Sequence, residues 1–197
     1  MHLEFLLEEE SMENVIEIVM EQIVGASPDH TWTVHPHHSK GHLLKQLLPK
    51  LRGYRNFLSH DTHIVIIVDQ DQDDCRALKR KIVDWAVEAG LETQSLVRIA
   101  VCELESWFLG DIRALEEAFP KLRHLKLHGK ARYRNPDERT DPKNDLDREM
   151  TNAGYPAYSI AKRLNSLEIS YHMSIIPYHN RSHSFQITVQ ALRNLLA

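Results

Sequence analysis

Asp69, Asp71, Asp73 and Asp74 place four carboxylates within six residues, at the end of the stretch Ile64–Cys75, IVIIVDQDQDDC. Carboxylates this close repel one another unless a cation or protons lie among them. Hard oxygen donors in such a group suit Mg2+ or Mn2+. The five residues before Asp69 are all β-branched and apolar. Such a run, without polar alternation, reads as a strand buried on both faces at the centre of a parallel sheet. The carboxyl end of such a strand is where an open α/β sheet holds its ligand. A plainer use of the same acids is capping, with Asp73 or Asp74 accepting from the first backbone N–H groups of the next helix. The two uses are compatible.

The elements that must position these acids follow from hydrophobic spacing. His2–Glu8, HLEFLLE, reads as a short apolar strand that ends in Glu8. From Ser11 onward, Met12, Val15, Ile16, Val19, Met20 and Ile23 recur at helical spacing, with Ser11 as a plausible N-cap. Glu9 and Glu10 then read as solvated acids favoured by the helix dipole. Thr31–His37 reads as a strand near a sheet edge, because it carries Pro36. The histidines His35, His37, His38 and His42 make zinc conceivable, but no cysteine or carboxylate completes the set, so solvated histidines are the preferred reading. Lys40 in that loop is a candidate phosphate contact. Gly41–Leu58 reads as a helix that Pro49 should kink or split. A helix over Asp74–Ala89, closed by Gly90, follows the central strand. Leu96–Cys102 is a further strand, ending in Glu103 and Glu105, with Trp107 and Phe108 as core anchors and a short helix over Ile112–Phe119.

The alternation of strand and helix builds a mainly parallel sheet with helices on both faces. Three of its four strands end in acid, which points to an acidic metal crevice. At 197 residues, with 42% hydrophobic and 26% charged residues, the chain fits one compact globular domain. Neither a membrane span nor a signal peptide is evident, and Cys75 and Cys102 read as buried thiols, so a cytoplasmic location is expected. The net charge of −4 argues against a protein that coats nucleic acid, although local binding depends on how charge is distributed.

That distribution is uneven. Lys121–Arg134, KLRHLKLHGKARYR, holds six Lys or Arg and no acid. Lys130, Arg132 and Arg134 are candidates for gripping nucleic-acid phosphates; the alternative is a basic loop that pairs with the acidic stretch after it. Asp137–Glu149 has the composition of a mobile surface segment. A helix is expected over SIAKRLNSL, where Lys162 or Arg163 could face the crevice. The tail forms an amphipathic helix to Leu196 capped by Ser182 or Ser184. Arg181, Ser182 and His183 at its start are candidates for holding a phosphate at the helix N-terminus. Local capping and packing is their plainer role.

The segments FLLEEESME, VDQDQDDCRALK, RIAVCELESWFLGD, KARYRNPDE and NRSHSF resemble a bacterial domain-of-unknown-function family with a Toprim-like core, whose members are often encoded beside an AAA-type ATPase. The short acidic motifs more distantly resemble the Toprim domains of OLD-type nucleases, primases and topoisomerases. The resemblance implies a Toprim-like, Rossmann-like α/β core over residues 1–120. A basic then acidic loop-rich insertion over 121–155 and a helical C-terminal segment over 156–197, packing on the core, complete the expected organisation. It implies Glu8 as general acid/base or metal ligand and Asp69 and Asp71 as Mg2+ ligands, joined by Asp73. A typical Toprim sequence has glycine after the glutamate; Glu9 stands there here.

The expected activity is Mg2+- or Mn2+-dependent phosphodiester hydrolysis by a nuclease working with an ATPase, in defence against foreign DNA. Glu8, Asp69, Asp71 and His183 are its catalytic candidates, with Glu103 as a further metal ligand. Expected partners are nucleic acid, DNA before RNA, and an AAA-type ATPase; a homodimer is compatible with them. One rival is a non-catalytic Toprim-like module that docks on an ATPase or nucleic acid. Another is a phosphatase acting on small phosphate esters.

Overall fold

The computed structural model describes residues 1–25 and 29–197. The chain begins β1 (His2–Leu7), α1 (Glu10–Val24), β2 (Thr31–Pro36), α2 (Lys40–Tyr54), β3 (Thr62–Asp69), α3 (Cys75–Glu88) and β4 (Ser95–Ala100). It continues with α4 (Glu105–Gly110), α5 (Ile112–Ala118), α6 (Pro142–Asn152), α7 (Lys162–Ser170) and α8 (His183–Leu196), with short 3-10 turns between them. The four strands form one parallel sheet in the order β2-β1-β3-β4. Right-handed crossovers decide which face each helix covers. The first crossover runs from β1 to β2 in one direction and the next two run the other way, so α1 lies on one face and α2 and α3 on the opposite one.

Side-chain alternation divides the core accordingly. Leu3, Phe5 and Leu7 of β1 and Val65 and Ile67 of β3 pack with α1 and the helices after β4. Leu6, Ile64, Ile66 and Val68 pack with α2 and α3. Ile64 to Val68 have no solvent exposure at all, as the unbroken apolar run requires. β2 is an edge strand, as Pro36 suggests. α2 continues through Pro49 as one helix, so the proline does not split it. Leu43, Leu47 and Leu51 seat its inner face on the sheet, which offsets a proline penalty of about 3 kcal/mol.

The segment read as mobile is ordered. Its second half is α6, whose Asp145, Leu146, Glu149 and Met150 are buried. Composition misled because the charges pair. Arg139 Nε lies 2.6 Å from Asp145 Oδ2, and Arg148 pairs with the other carboxylate oxygen. Glu149, wholly buried, accepts from Tyr133 Oη at 2.6 Å and pairs with Lys130 at 2.6 Å and Arg132 at 3.4 Å. The basic stretch is therefore tied to the acidic one. Trp107 and Phe108 are core anchors with zero exposure. Gly110 admits α8's approach: a Cβ there would lie 2.0 Å from Asn180 Oδ1, which accepts from the Ser182 N–H.

Removing Glu149 strands a buried tyrosine hydroxyl and two cations. Glu149→Ala is expected to lower unfolding free energy by about 3–5 kcal/mol, read by urea denaturation. Lys130→Ala, which removes a partly exposed partner, is expected to have a much smaller effect. Equal losses in the two variants would contradict this account.

Candidate functional site

β1 and β3 are neighbours, with Leu7 opposite Ile67. β1 leads outward to β2 and β3 outward to β4, so strand order reverses between β1 and β3. Open α/β sheets hold ligands in the crevice at that point. Glu8 follows β1 and Asp69 closes β3, so both carboxylates stand there. Glu8 Oε2 accepts the Asp69 backbone N–H at 3.0 Å, which fixes the glutamate side chain across the strand ends. Asp69 is 4% exposed, and its Oδ1 is buried with no hydrogen-bond partner.

Burial pushes the Glu8 carboxyl up to about 7; the Asp69 N–H and Lys40 oppose the rise and Asp71 adds to it. Asp69 is held well above the usual carboxylate range, first by burial and then by the charges of Glu8, Glu105 and Glu9. Lys162 answers part of this charge. Its Nζ lies 2.6 Å from Glu9 Oε1 and 3.2 Å from Glu105 Oε1. Burial disfavours the charged lysine, but Glu105 and Glu9 outweigh that and hold it above its ordinary value. Glu9 is thus a partner of Lys162 rather than a solvated acid. It also accepts from Ser11 Oγ. Glu105 is almost wholly buried on the first turn of α4. Lys162, not Arg163, turns to the acids; Arg163 pairs with Glu10 at 3.3 Å.

The loop after β3 is held to β4's end. Gln70 N donates to Ala100 O at 2.9 Å and Asp71 N to Cys102 O at 2.7 Å. Asp71 and Cys102 both adopt left-handed backbone, with φ of 50° and 60°. Two non-glycine residues held this way form a strained turn, from which Asp71 projects. Lys40 reaches this turn from the start of α2. Its Nζ is 2.6 Å from Asp71, 2.9 Å from Asp73 and 3.0 Å from Gln70 O. Asp74 caps α3 by accepting from Ala77 N at 2.7 Å. Among the described residues no three His, Cys, Asp or Glu side chains converge as a ready cation cage.

Other candidates are placed elsewhere. Glu103 is near Asp71 in charge, but its Oε2 accepts from Lys143 N at 3.3 Å, at the start of α6. Lys130 and Arg132 are committed to Glu149, while Arg134 is exposed. The N-terminus of α8 does not offer an open phosphate cradle, because the chain's own carboxylate fills it. Asp137 Oδ1 accepts from Ser182 Oγ at 2.6 Å and Oδ2 from Ser184 N at 2.7 Å. Ser182 is buried and caps the helix. Arg181 and His183 are exposed, and His183 lines a separate cavity with Arg98 and Lys79. The histidines near β2 are occupied locally: His35 with Glu4 at 2.6 Å, His37 with Leu7 O at 2.9 Å, and His38 stacked on His42. The roles of Asp137 and Glu149 were hidden because both lie in the stretch that composition marked as mobile.

A cavity of about 600 Å3 lies along α2 and is lined by His42, Lys45, Gln46, Pro49 and Lys50. Charge, not volume, makes the Glu8–Asp69 crevice the candidate site, since buried groups with displaced pKa values gather at functional sites.

The raised Glu8 carboxyl has a consequence for stability. Between its ordinary value of 4.5 and about 7, the unfolded chain releases this proton while the folded protein keeps it. The folded state then binds more protons, so stability falls as pH rises through that window. Melting midpoints measured across it should fall less steeply in Glu8→Gln than in the unaltered protein. Identical slopes would show that Glu8 titrates normally.

No curated protein and no solved structure matches the chain. Residues 7–193 match the model of a domain of unknown function, DUF4276, and the chain belongs to that family.

Proposed function

We propose that the protein is a Mg2+- or Mn2+-dependent phosphodiesterase, a Toprim-like nuclease that works with an ATPase partner against foreign DNA. One observation carries the reading: Glu8 and Asp69 meet at the reversal point of the sheet, with a buried Asp69 oxygen left unpartnered. Carboxylate oxygens without enough positive charge around them are the donor set of a hard divalent cation. Glu8 and Asp69 would hold it; Asp71, which pairs with Lys40, would join as a third donor only on leaving that lysine, with Asp73 and Glu103 farther out. Bound there, such an ion supplies a Lewis acid for a phosphoryl oxygen and a lowered pKa for water.

The chain's own groups do the rest. Glu8 would either complete the ion's shell as a carboxylate or, where it stays off the ion, move a proton at neutral pH from a carboxyl pushed up to about 7. Lys40 holds Asp71 and Asp73 and brings positive charge to the mouth of the crevice. Lys162 keeps Glu9 and Glu105 anchored behind Asp69. With Lys130 and Arg132 tied to Glu149, phosphate contacts fall to the α2 groove, where His42, Lys45 and Lys50 share one helix face, and to exposed Arg134 and Arg181. DNA as substrate and the ATPase as partner rest on the family resemblance.

A second reading, a non-catalytic module docking on an ATPase or nucleic acid, is favoured by the Lys40 ion pairs. A lysine already neutralises Asp71 and Asp73, and Glu9 occupies the position that is glycine in typical Toprim sequences.

Titration with Mn2+ separates the two. At metal about 100 times Kd, a site present only in the folded state adds about 2.7 kcal/mol, a rise of roughly 5–11 °C in melting midpoint. The nuclease reading expects that rise, together with Mn2+-dependent cleavage of DNA, and loss of both in Asp69→Asn. A wild type that gains no stability and cuts neither single- nor double-stranded DNA leaves the docking module as the function.

A further inference from the structure

A cavity of about 160 Å3 opens between α3, the outer edge of β4 and α8, and shares no lining residue with the Glu8–Asp69 pair. Cys75 and Lys79 come from α3, Arg98, Ile99 and Val101 from β4 and its end, and His183, Ser184, Ile187 and Thr188 from α8. Arg98 stands out in the sequence as the one charged residue in the otherwise apolar run LVRIAVC. It faces this cavity half-buried, and its Nε is buried without a hydrogen-bond partner. Its guanidinium makes one long contact, 3.3 Å to Val97 O. Lys79 stands at the mouth.

Among the described residues neither cation has a carboxylate partner; the ion pairs of the protein form elsewhere. Asp137 also lines the cavity, but Ser182 Oγ and Ser184 N already occupy its two oxygens. Burial holds Arg98 below its ordinary range, and burial with Arg98's charge does the same to Lys79. Two unpaired cations sharing a partly dry cavity repel each other, and an anion between them removes both penalties. The planar guanidinium fork and a mobile ammonium suit tetrahedral oxyanions. A volume of about 160 Å3 is room enough for a phosphate group.

We propose that this cavity is a binding site for a phosphate-type oxyanion, held by Arg98 and Lys79 with the His183 ring at its rim. The anion is either free phosphate or the terminal phosphate of a larger molecule whose remainder stays outside.

The test is thermal melting of the full chain in EDTA, so that no divalent cation contributes, with inorganic phosphate added against chloride at matched ionic strength. Phosphate at about ten times its Kd should raise the midpoint by roughly 3–6 °C. The rise should vanish in Arg98→Gln and in Lys79→Gln. Without phosphate, Arg98→Gln should melt no lower than the unaltered protein, because it removes an uncompensated charge; an arginine kept for packing would lower it. Should Arg98→Gln fail to fold, the idea fails on that count, and Lys79→Gln still reports whether phosphate binds here. A 5′-phosphorylated dinucleotide compared with its 5′-hydroxyl form identifies the source: stabilisation by the former alone, stronger than by inorganic phosphate, assigns a terminal phosphate. No rise with any of these, or an equal rise in wild type and both variants, overturns the site.

Discussion

Two carboxylates stand side by side at the carboxyl ends of adjacent buried strands, and the low local dielectric makes their charges felt strongly. Glu8 is fastened by the Asp69 N–H, so its carboxylate cannot swing into solvent without breaking that hydrogen bond. The pair must therefore hold a proton or attract a cation. Much of the surrounding structure manages this constraint. Lys162 arrives from α7, far along the chain, to balance Glu9 and Glu105. Lys40 arrives from the other side of the sheet to balance Asp71 and Asp73. Asp69 itself is left with an unsatisfied oxygen. A fold selected for stability alone would place an apolar residue there.

The region after α5 closes the molecule by the same kind of chemistry used to opposite effect. Glu149 and Asp145 gather nearby cations and lock the basic stretch to α6. Asp137 does for α8 what a bound phosphate does at other helix starts, supplying negative charge to free N–H groups. These acids are satisfied, each with two or more donors, so they rigidify the fold. Those at the sheet ends meet fewer donors: Glu8 accepts the Asp69 N–H, and Asp69 Oδ1 accepts from no group among the described residues. The difference lies in how many donors each carboxylate meets, not in how deeply it is buried.

Positive charge shows the same division. Lys130, Arg132, Arg139 and Arg148 are neutralised and structural. Arg98 and Lys79 line a cavity and form no ion pair among the described residues, the nearby Asp137 being engaged by Ser182 and Ser184. Lys45 and Lys50 share the α2 groove with His42, and Lys50 donates to His37 Nε2 at 2.8 Å. The dense basic stretch of the sequence is therefore a poorer candidate for phosphate contact than cations that are scattered along the chain.

Local sequence pattern determined the parallel α/β class, the central burial of Ile64 to Val68 and the edge position of β2, and it narrowed two helix caps to Asp73 or Asp74 and to Ser182 or Ser184, of which the structure takes Asp74 and Ser182. The acidic ends of β1 and β3 were equally legible, and strand order then brought Glu8 to Asp69. Only the tertiary structure decided the fate of the other charges. Glu9, Asp137 and Glu149 look alike in sequence as members of acidic runs. Their roles came from partners 153, 45 and 19 residues away, at Lys162, Ser182 and Lys130. Composition reports how much charge a segment carries, whereas pairing across such distances depends on which elements pack together. The same limit hid the ordered α6, whose polar sequence is buried by those ion pairs rather than by an apolar face alone.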